Sequence, residues 1–392
     1  MVRLAATLFS VIGTVAASIS NSERSLRVEQ ASRSTDAAAS VAPDVKGLAF
    51  NRFYQIWMEN EDYSGVADNP DLNWLASKGI KLTNYFATGH TSEPNYCASV
   101  GGDSFGMDGD DLHLIPTNVS TVANLLDVRG VSWAEYQEGI PHSGFEGTQS
   151  LNPDTYAVEY VRRHNPLIMF NSTVKNDTAL RQIKSFTDFY NDRNQNSLPQ
   201  WAFLTPNMTN DGHNTNVAFS SNWLRSFVSE IMNNTYFWNE TLLLLTFDES
   251  KHYSSPNRVL SILLGGAVPQ GLAGTVDDTM YSHYSAIASV SANWGLPSLG
   301  RWDCGANLFE VVANKTGYKN WVVDTSALFM NVSLPGPLSS RKYSRHRASW
   351  PVPSTNDSCS AGNGILQVVI DAYKGRTPTY NYTTPFPYDC DL

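Results

Sequence analysis

The sequence predicts an α/β protein, a three-layer sandwich built on a mainly parallel central sheet. Short apolar runs of strand character alternate with segments of helical periodicity along most of the chain, the pattern of parallel strands joined by crossover helices. Several of the runs stop abruptly at polar or acidic residues, as strands do when their carboxyl ends open onto a ligand crevice. The 392 residues, 42% of them hydrophobic and 11% aromatic, are enough to bury a large core.

Taken in order, Met1-Val2-Arg3 and the apolar run Leu4 to Val15 lead to Ala16-Ala17-Ser18. A charged start, an apolar stretch too short to span a bilayer and a small-residue end read as a signal peptide over 1–17. Residues 18–46 are rich in Ser and Ala without apolar period, and read as a flexible tail or removable pro-segment. The pattern changes at Ala49. Phe53 to Met58 is a buried-strand candidate that ends at Glu59-Asn60, Leu72 to Lys78 makes a helical turn or two, and Ile80 to Phe86 alternates as a strand does. Further strands are expected at Ser132 to Tyr136, Trp201 to Leu204, Leu242 to Phe247 and Val259 to Leu264. Helices are expected at Val119 to Asp127, Thr178 to Tyr190, Trp223 to Met232 and Tyr284 to Trp294. Residues 47–334 then form one α/β catalytic domain, and 335–392 a C-terminal extension packed on it. No stretch after the signal reaches the length of a membrane span, so no stable membrane association is expected.

A net charge of −10 argues against a sequence-independent grip on nucleic acid, which needs a basic face. Cys97, Cys304, Cys359 and Cys390 allow two disulfides in three connectivities, with Cys359–Cys390 one way to close the C-terminal extension. Asn-X-Ser/Thr recurs at Asn118, Asn171, Asn176, Asn207, Asn233, Asn239, Asn314, Asn331, Asn356 and Asn381. With a signal peptide, so many acceptor sites indicate a secreted protein carrying N-linked glycans. Oligomeric state is left open.

The chemistry centres on Gly89-His90-Thr91-Ser92-Glu93-Pro94-Asn95-Tyr96. Pro94 suits an early helical position, because it needs no amide partner there and its φ is already helical. Ser92 is therefore expected at the N-cap or just before it, where free amides and the helix dipole favour both an alkoxide and a phosphate oxygen. Taken alone, a Ser in that place is a cap. Asp248 and Glu249, which end the run Leu242 to Phe247, change the balance. Adjacent acids at the end of a buried strand are costly unless a cation or hydrogen bonds compensate, and with Glu59 and Asn60 ending another strand a divalent metal fed by oxygen ligands is the better account. Asn207, Asp211 and His213 follow the Trp201 strand and fall at the same sheet end.

Met58-Glu59-Asn60, the segment His90 to Tyr96, Tyr160 to Pro166, Thr205-Pro206-Asn207 with Asp211-Gly212-His213, Thr246-Phe247-Asp248-Glu249 and His283-Tyr284-Ser285 resemble, in that order, the motifs of the phosphoesterase family. That family belongs to the alkaline-phosphatase-like superfamily and includes secreted fungal acid phosphatases, bacterial acid phosphatases and phospholipases C, and the likeness is strongest to the fungal enzymes. The resemblance implies an alkaline-phosphatase-like sandwich and a secreted acid phosphatase that hydrolyses small phosphate monoesters through a phosphoserine. It implies Ser92 as nucleophile and His164, His213 and His283 as catalytic histidines facing the phosphate. His90, Asn95, Asn207 and Asp211 bind substrate on this reading, and Glu59, Asn60, Asp248 and Glu249 surround one divalent metal of open identity. Imidazoles charged at acid pH would hold the phosphate best.

Other residues take plainer readings. His113, His142, His252 and His346 are expected at the surface, Asp103 to Asp111 as a solvated loop without EF-hand spacing, Arg341-Lys342 and Arg345 to Arg347 as a solvated basic cluster, and Trp294 and Trp302 in the core. No Walker motif or lipase-type serine elbow occurs. A phosphodiesterase or phospholipase C on the same scaffold, and a non-enzymatic secreted cell-wall or binding protein, are the alternatives.

Overall fold

A computed structural model describes residues 44–340 and 349–387. The signal segment, nearly all of the expected tail, Cys390 and the basic cluster with His346 lie outside the described residues.

The centre is a sheet of strands β1 (Arg52–Met58), β2 (Ile80–Phe86), β3 (Trp133–Gln137), β6 (Ile183–Ser185), β7 (Trp201–Thr205), β8 (Thr241–Phe247), β9 (Arg258–Leu264), β10 (Thr275–Asp277) and β11 (Tyr281–Ser282). Its order is β10-β2-β9-β8-β1-β7-β3-β6, with β11 also on β2. Strands β4 (Gln149–Leu151) and β5 (Val158–Val161) form a separate hairpin. The run β8-β1-β7-β3-β6 is parallel throughout, and β9 alone enters antiparallel, between β8 and β2. Every residue of β1, β3, β7 and β8 is buried, so both faces of the central sheet are covered.

Helices supply the cover. On one side α1 (Pro70–Ala76), α4 (Phe186–Asn194) and α5 (Val217–Met232) pack together, through Arg225–Asp71 and through Phe227 against Phe186 and Phe189. Another group is α2 (Ser92–Gly101), α3 (Val122–Arg129), α6 (His283–Trp294) and α7 (Glu310–Thr316), all in contact with α6. Helix α6 is buried along its whole length, which its sequence permits because small residues, Ala286, Ala288, Ser289, Ser291 and Ala292, let neighbours approach closely. Gly265, after β9, has φ +108, and a Cβ there would stand 2.0 Å from the Thr241 carbonyl, so only glycine lets the chain cross the start of β8.

The expected strands and most helices fall where the periodicity puts them, and Trp294 and Trp302 are in the core. The segment Thr178 to Tyr190 is a correction. It is a short helical turn (Asp177–Leu180), then β6, then α4. Leu180, Ile183, Phe186 and Phe189 do recur at helical spacing, but pairing of Ile183–Ser185 with the edge of β3 overrides it, and Ser185 starts the helix afresh with a capping box to Asp188. The cysteines correct a second expectation. Cys359 is bonded to Cys304, not to Cys390, because Ser360 lies along the 304–306 segment, its amide donating to the Cys304 carbonyl at 2.7 Å and its hydroxyl to that of Ala306 at 2.7 Å. Cys97 is a buried free thiol inside α2. No helix among the described residues is long and apolar enough to cross a membrane.

Candidate active site

Adjacent parallel strands deliver the acids. Met58 and Phe247 are register partners at the ends of β1 and β8, so Glu59 and Asp248 leave the sheet side by side, and the Asp248 amide extends the ladder to the Met58 carbonyl at 3.0 Å. From β7, on the other flank of β1, the chain turns through Asn207 to Asp211, whose carbonyl accepts from the Glu59 amide at 3.0 Å. Three neighbouring carboxyl ends thus converge on one point, as the strand pattern requires.

Ser92 arrives from β2 as the first residue of α2, one position inside the helix rather than at its cap. Thr91 is the N-cap in extended conformation, and the capping oxygen comes from elsewhere: Asp110 Oδ1 accepts from the Thr91 hydroxyl at 2.6 Å and from the Glu93 amide at 3.1 Å. Asp110, exposed in its loop as expected, is nevertheless tied to the Ser92 turn by these two bonds. Asn95 is committed to the same loop. Its Oδ1 accepts from the Thr88 and Gly89 amides at 2.8 and 3.1 Å, and its Nδ2 donates to the Gly89 and Thr91 carbonyls at 2.9 and 3.0 Å. With its amide so occupied, Asn95 holds the Ser92 turn and has nothing to offer a substrate, which corrects the expectation from sequence.

The Ser92 hydroxyl stands 3.3 Å from Glu59 Oε2 and 3.4 Å from Glu249 Oε1. Behind it Glu59 Oε1 accepts from Tyr96 Oη at 2.9 Å and lies 3.3 Å from His164 Nε2, while His164 Nδ1 is 3.8 Å from Asp211 Oδ2. One ligand atom from each of Glu59, His164 and Asp211 lies within 4.8 Å of the others, a set that could hold a metal ion. Glu59, His164, Asp211, Asp248 and Glu249 are all buried. His164 Nε2, Asp211 Oδ2 and both Asp248 carboxylate oxygens have no hydrogen bond there. Orphaned buried oxygens beside an unprotonated imidazole edge are what a divalent cation would satisfy, and the mix of carboxylates with one nitrogen suits it.

The electrostatics agree. Burial, then the charges of Asp248 and Asp211, hold Glu59 well above the usual carboxyl range. Burial and Glu249 do the same to Asp248, and burial raises Asp211 and pushes Glu249 up to about 8. Acids crowded this way ionise together only if a positive charge joins them. This set overlaps the residues expected around a metal. Glu59 belongs to it and Asp248 adjoins it. Glu249 is instead shared between Ser92 and His90, which binds its Oε2 through Nδ1, and Asn60 hydrogen-bonds Glu249. His164 and Asp211, expected to face phosphate, lie beside Glu59 in this cluster.

The histidines separate into different tasks. His283 lies under the floor: its Nε2 donates to the Asp248 backbone carbonyl at 2.7 Å, its Nδ1 meets Tyr85 Oη at 3.3 Å, and its ring packs on Trp57. Both nitrogens are used, so it positions Asp248 and does not face a phosphate. Burial pushes His283 down to about 3 and His90 to about 4, and lowers His164 well below the usual range. Burial thus favours the neutral form of these three imidazoles, against the expectation that they meet phosphate charged. The cation at the mouth is Arg163, half-buried, 3.7 Å from Asp110 and donating to Nε2 of the exposed His213 at 3.3 Å.

Asn207 sits at the edge, its Oδ1 accepting from the Thr209 and Asn210 amides at 3.1 and 2.9 Å and its own amide donating to Glu138. Of the histidines read as surface residues, His252 is exposed and paired with Asp62, His142 is half-buried beside Phe145, and His113 binds the buried Glu93 at 2.8 Å. Among the residues not singled out from sequence, Arg163 and Tyr96 lie inside the quoted motif segments, and Asp110 carried no signal of its role.

The model of the Phosphoesterase family matches residues 63–297, a span that includes Ser92, His164, Asp211, Asp248 and Glu249. An acid phosphatase of Aspergillus fumigatus is 57% identical over 358 residues, covering 90% of this chain and 80% of that protein. The phosphate-repressible acid phosphatase of Penicillium chrysogenum is 55% identical over 359 residues, covering 92% and 86%. Among solved structures, a protein in the alkaline phosphatase superfamily from Vibrio parahaemolyticus aligns with a TM-score of 0.42 at 12% identity, over 70% of this chain and 74% of that one.

Proposed function

Because the chain belongs to the phosphoesterase family, we propose that it is an acid phosphatase that hydrolyses phosphate monoesters through a phosphoserine at Ser92. The observation that carries the reading is the Ser92 hydroxyl, at a helix N-terminus, within 3.3 and 3.4 Å of Glu59 and Glu249 in a pocket whose orphaned carboxylates call for a cation. The names of the fungal relatives support the monoester substrate.

Glu59, His164 and Asp211, with Asp248 beside them, would hold one divalent ion of open identity. When bound, such an ion lowers the pKa of a nearby hydroxyl and neutralises charge on phosphate oxygens. The chain's own residues do the rest. Phosphoryl transfer is chiefly in-line placement and charge stabilisation. Ser92 Oγ forms the bond to phosphorus as the ester bond opposite it breaks, and its proton passes to Glu249 Oε1, whose other oxygen shares a proton with His90. The Arg163 guanidinium stabilises the phosphoryl oxygens. The alcohol departs toward the mouth, past Arg163 and His213, and takes its proton from solvent. Water then attacks the phosphoserine and releases its proton to solvent as Glu249 returns its proton to Ser92 Oγ, which frees Ser92 with phosphate as product. His283 and Asn95 act at one remove, by fixing Asp248 and the Ser92 turn.

On the same reading the protein is exported and glycosylated, as the N-terminal segment and the acceptor sites suggest, and the Cys304–Cys359 bond suits that compartment. Metal analysis and a monoester assay of the purified protein beside Ser92→Ala test the proposal. The variant is expected to keep its metal and fold and to lose turnover by about 10³-fold or more, as nucleophile removal does. A variant that retained most of its activity would remove Ser92 from the reaction.

A further inference from the structure

Tyr253 is 58% exposed, yet the loop that carries it is tied down on every side. The Tyr253 and Ser255 carbonyls both accept from Asn331 Nδ2, at 2.7 and 2.8 Å. On the preceding side the His252 amide donates to Asp62 Oδ1 at 3.0 Å, with the His252 ring bound to the same carboxylate. The loop is closed at its base by the Ser250 amide to Asn257 Oδ1 at 2.8 Å, and Asn257 Nδ2 reaches the Gly89 carbonyl at 2.7 Å, three residues from Ser92. An aromatic side chain left open to water on a fixed backbone loses little conformational entropy when something covers it.

One face of that ring is already used. Tyr253 stacks on His90 with centroids 4.0 Å apart and planes at 26°, and His90 in turn binds Glu249 beside Ser92. Through His90 the ring is one side chain away from Glu249, and so stands beside the carboxylate pocket. In-line transfer places the leaving group opposite the nucleophile. Ser92 is on the floor at 4% exposure, so the leaving group points outward, past Tyr253.

We propose that Tyr253 is a specificity-determining residue: its open face is a stacking platform for a planar aromatic leaving group, so that this site favours aryl or nucleoside monoesters over small aliphatic ones. Ring-on-ring contact of this kind contributes on the order of 1 kcal/mol beyond burial, or a factor of five to ten. The inference rests on the phosphatase reading of the site.

The test compares phenyl phosphate, adenosine 5′-monophosphate and glycerol 2-phosphate on the wild-type protein, Tyr253→Ala and Tyr253→Phe. Loss of the platform is expected to lower kcat/KM for at least one aromatic ester about tenfold more than for glycerol 2-phosphate, through KM, with Tyr253→Phe restoring it. Which aromatic ester responds tells how far from phosphorus the platform lies. A purely structural role, acting through His90 and Glu249, would lower all three alike, and an equal fall or no fall overturns the proposal. Binding of phenylphosphonate against methylphosphonate, which needs no turnover, reads the same platform if the protein cleaves none of the esters. Tyr253→Ala must then weaken phenylphosphonate selectively, and equal weakening of the two rejects the platform independently of the fate of the phosphatase reading.

Discussion

His283 Nε2 donates a hydrogen bond of 2.7 Å to the backbone carbonyl of Asp248, from beneath the strand end that bears the carboxylate. The contact makes a buried imidazole a support for a neighbouring acid. Replacing His283 by Ala removes the donor and the ring packed on Trp57, and should destabilise the protein by about 3 kcal/mol, the usual result of opening a buried aromatic site. His283→Gln can still donate to that carbonyl. It should recover most of the turnover if His283 acts through Asp248; if Gln and Ala are equally inactive at temperatures where both are folded, the ring has a direct chemical part.

Glu135 on β3 is fully buried, with Oε1 accepting from the Leu167 amide at 2.9 Å and Oε2 without a hydrogen bond, and burial pushes its carboxyl up to about 8. The folded state therefore keeps this proton where the unfolded chain has lost it, and the sign follows. The stability is fully present below about pH 4.3 and falls as pH rises toward 8, by at most about 5 kcal/mol. Thermal melts of Glu135→Gln across pH 4.5 to 8 should show a flatter decline than wild type. Parallel declines would mean that Glu135 is already ionised in the folded protein.

The Cys304–Cys359 bond closes a loop with a sequence separation of 55 residues. Cys359→Ser should cost about 4 kcal/mol if the loss is mainly loop entropy. Mass mapping of the unreduced protein should find the 304–359 cross-link and leave Cys97 unpaired inside α2; a linkage of Cys359 to Cys390 would displace the connectivity described above.

Glycan occupancy should be uneven. Asn331 donates both hydrogens of its amide nitrogen to the Tyr253 and Ser255 carbonyls, and a sugar on that nitrogen would break the pair. Asn207, at the edge of the candidate site, carries its side chain in a turn that accepts from Thr209 and Asn210. Asn118 and Asn356 are exposed. A glycopeptide map is expected to show Asn331 and Asn207 bare and Asn118 and Asn356 occupied; full occupancy at Asn331 would be incompatible with the tethered Tyr253 loop.

Much of this architecture was legible because burial leaves a clear mark. A run such as Leu242 to Phe247 must be covered on both faces, and charges at its end must be answered, so the strand and the importance of Asp248 and Glu249 followed together. Direction leaves no such mark, and nothing in Val259 to Leu264 announced that β9 runs antiparallel. Nor does a residue's type tell which side of a pocket it takes. His164 and Asp211 were found, but their position beside Glu59 depends on the Glu59 amide meeting the Asp211 carbonyl, a contact between residues far apart in the chain. Asn95 misled for a related reason: an amide three residues from a nucleophile looks like a substrate contact until its own hydrogen bonds are counted. Asp110 was missed because its capping role is exercised across 17 and 19 residues of chain, toward Glu93 and Thr91.

The pairing of Met58 with Phe247 carries a consequence for how this chain tolerates change. Side chains alternate across a strand, so one extra residue in β1 or β8 just before the acids would turn Glu59 or Asp248 about, from the opening toward the apolar layers. Insertions at the opposite rim, around Asn51 or Glu240, would be taken up by the connecting turns. Length variation in this protein should therefore be strongly lopsided, permitted along one border of the sheet and forbidden along the other.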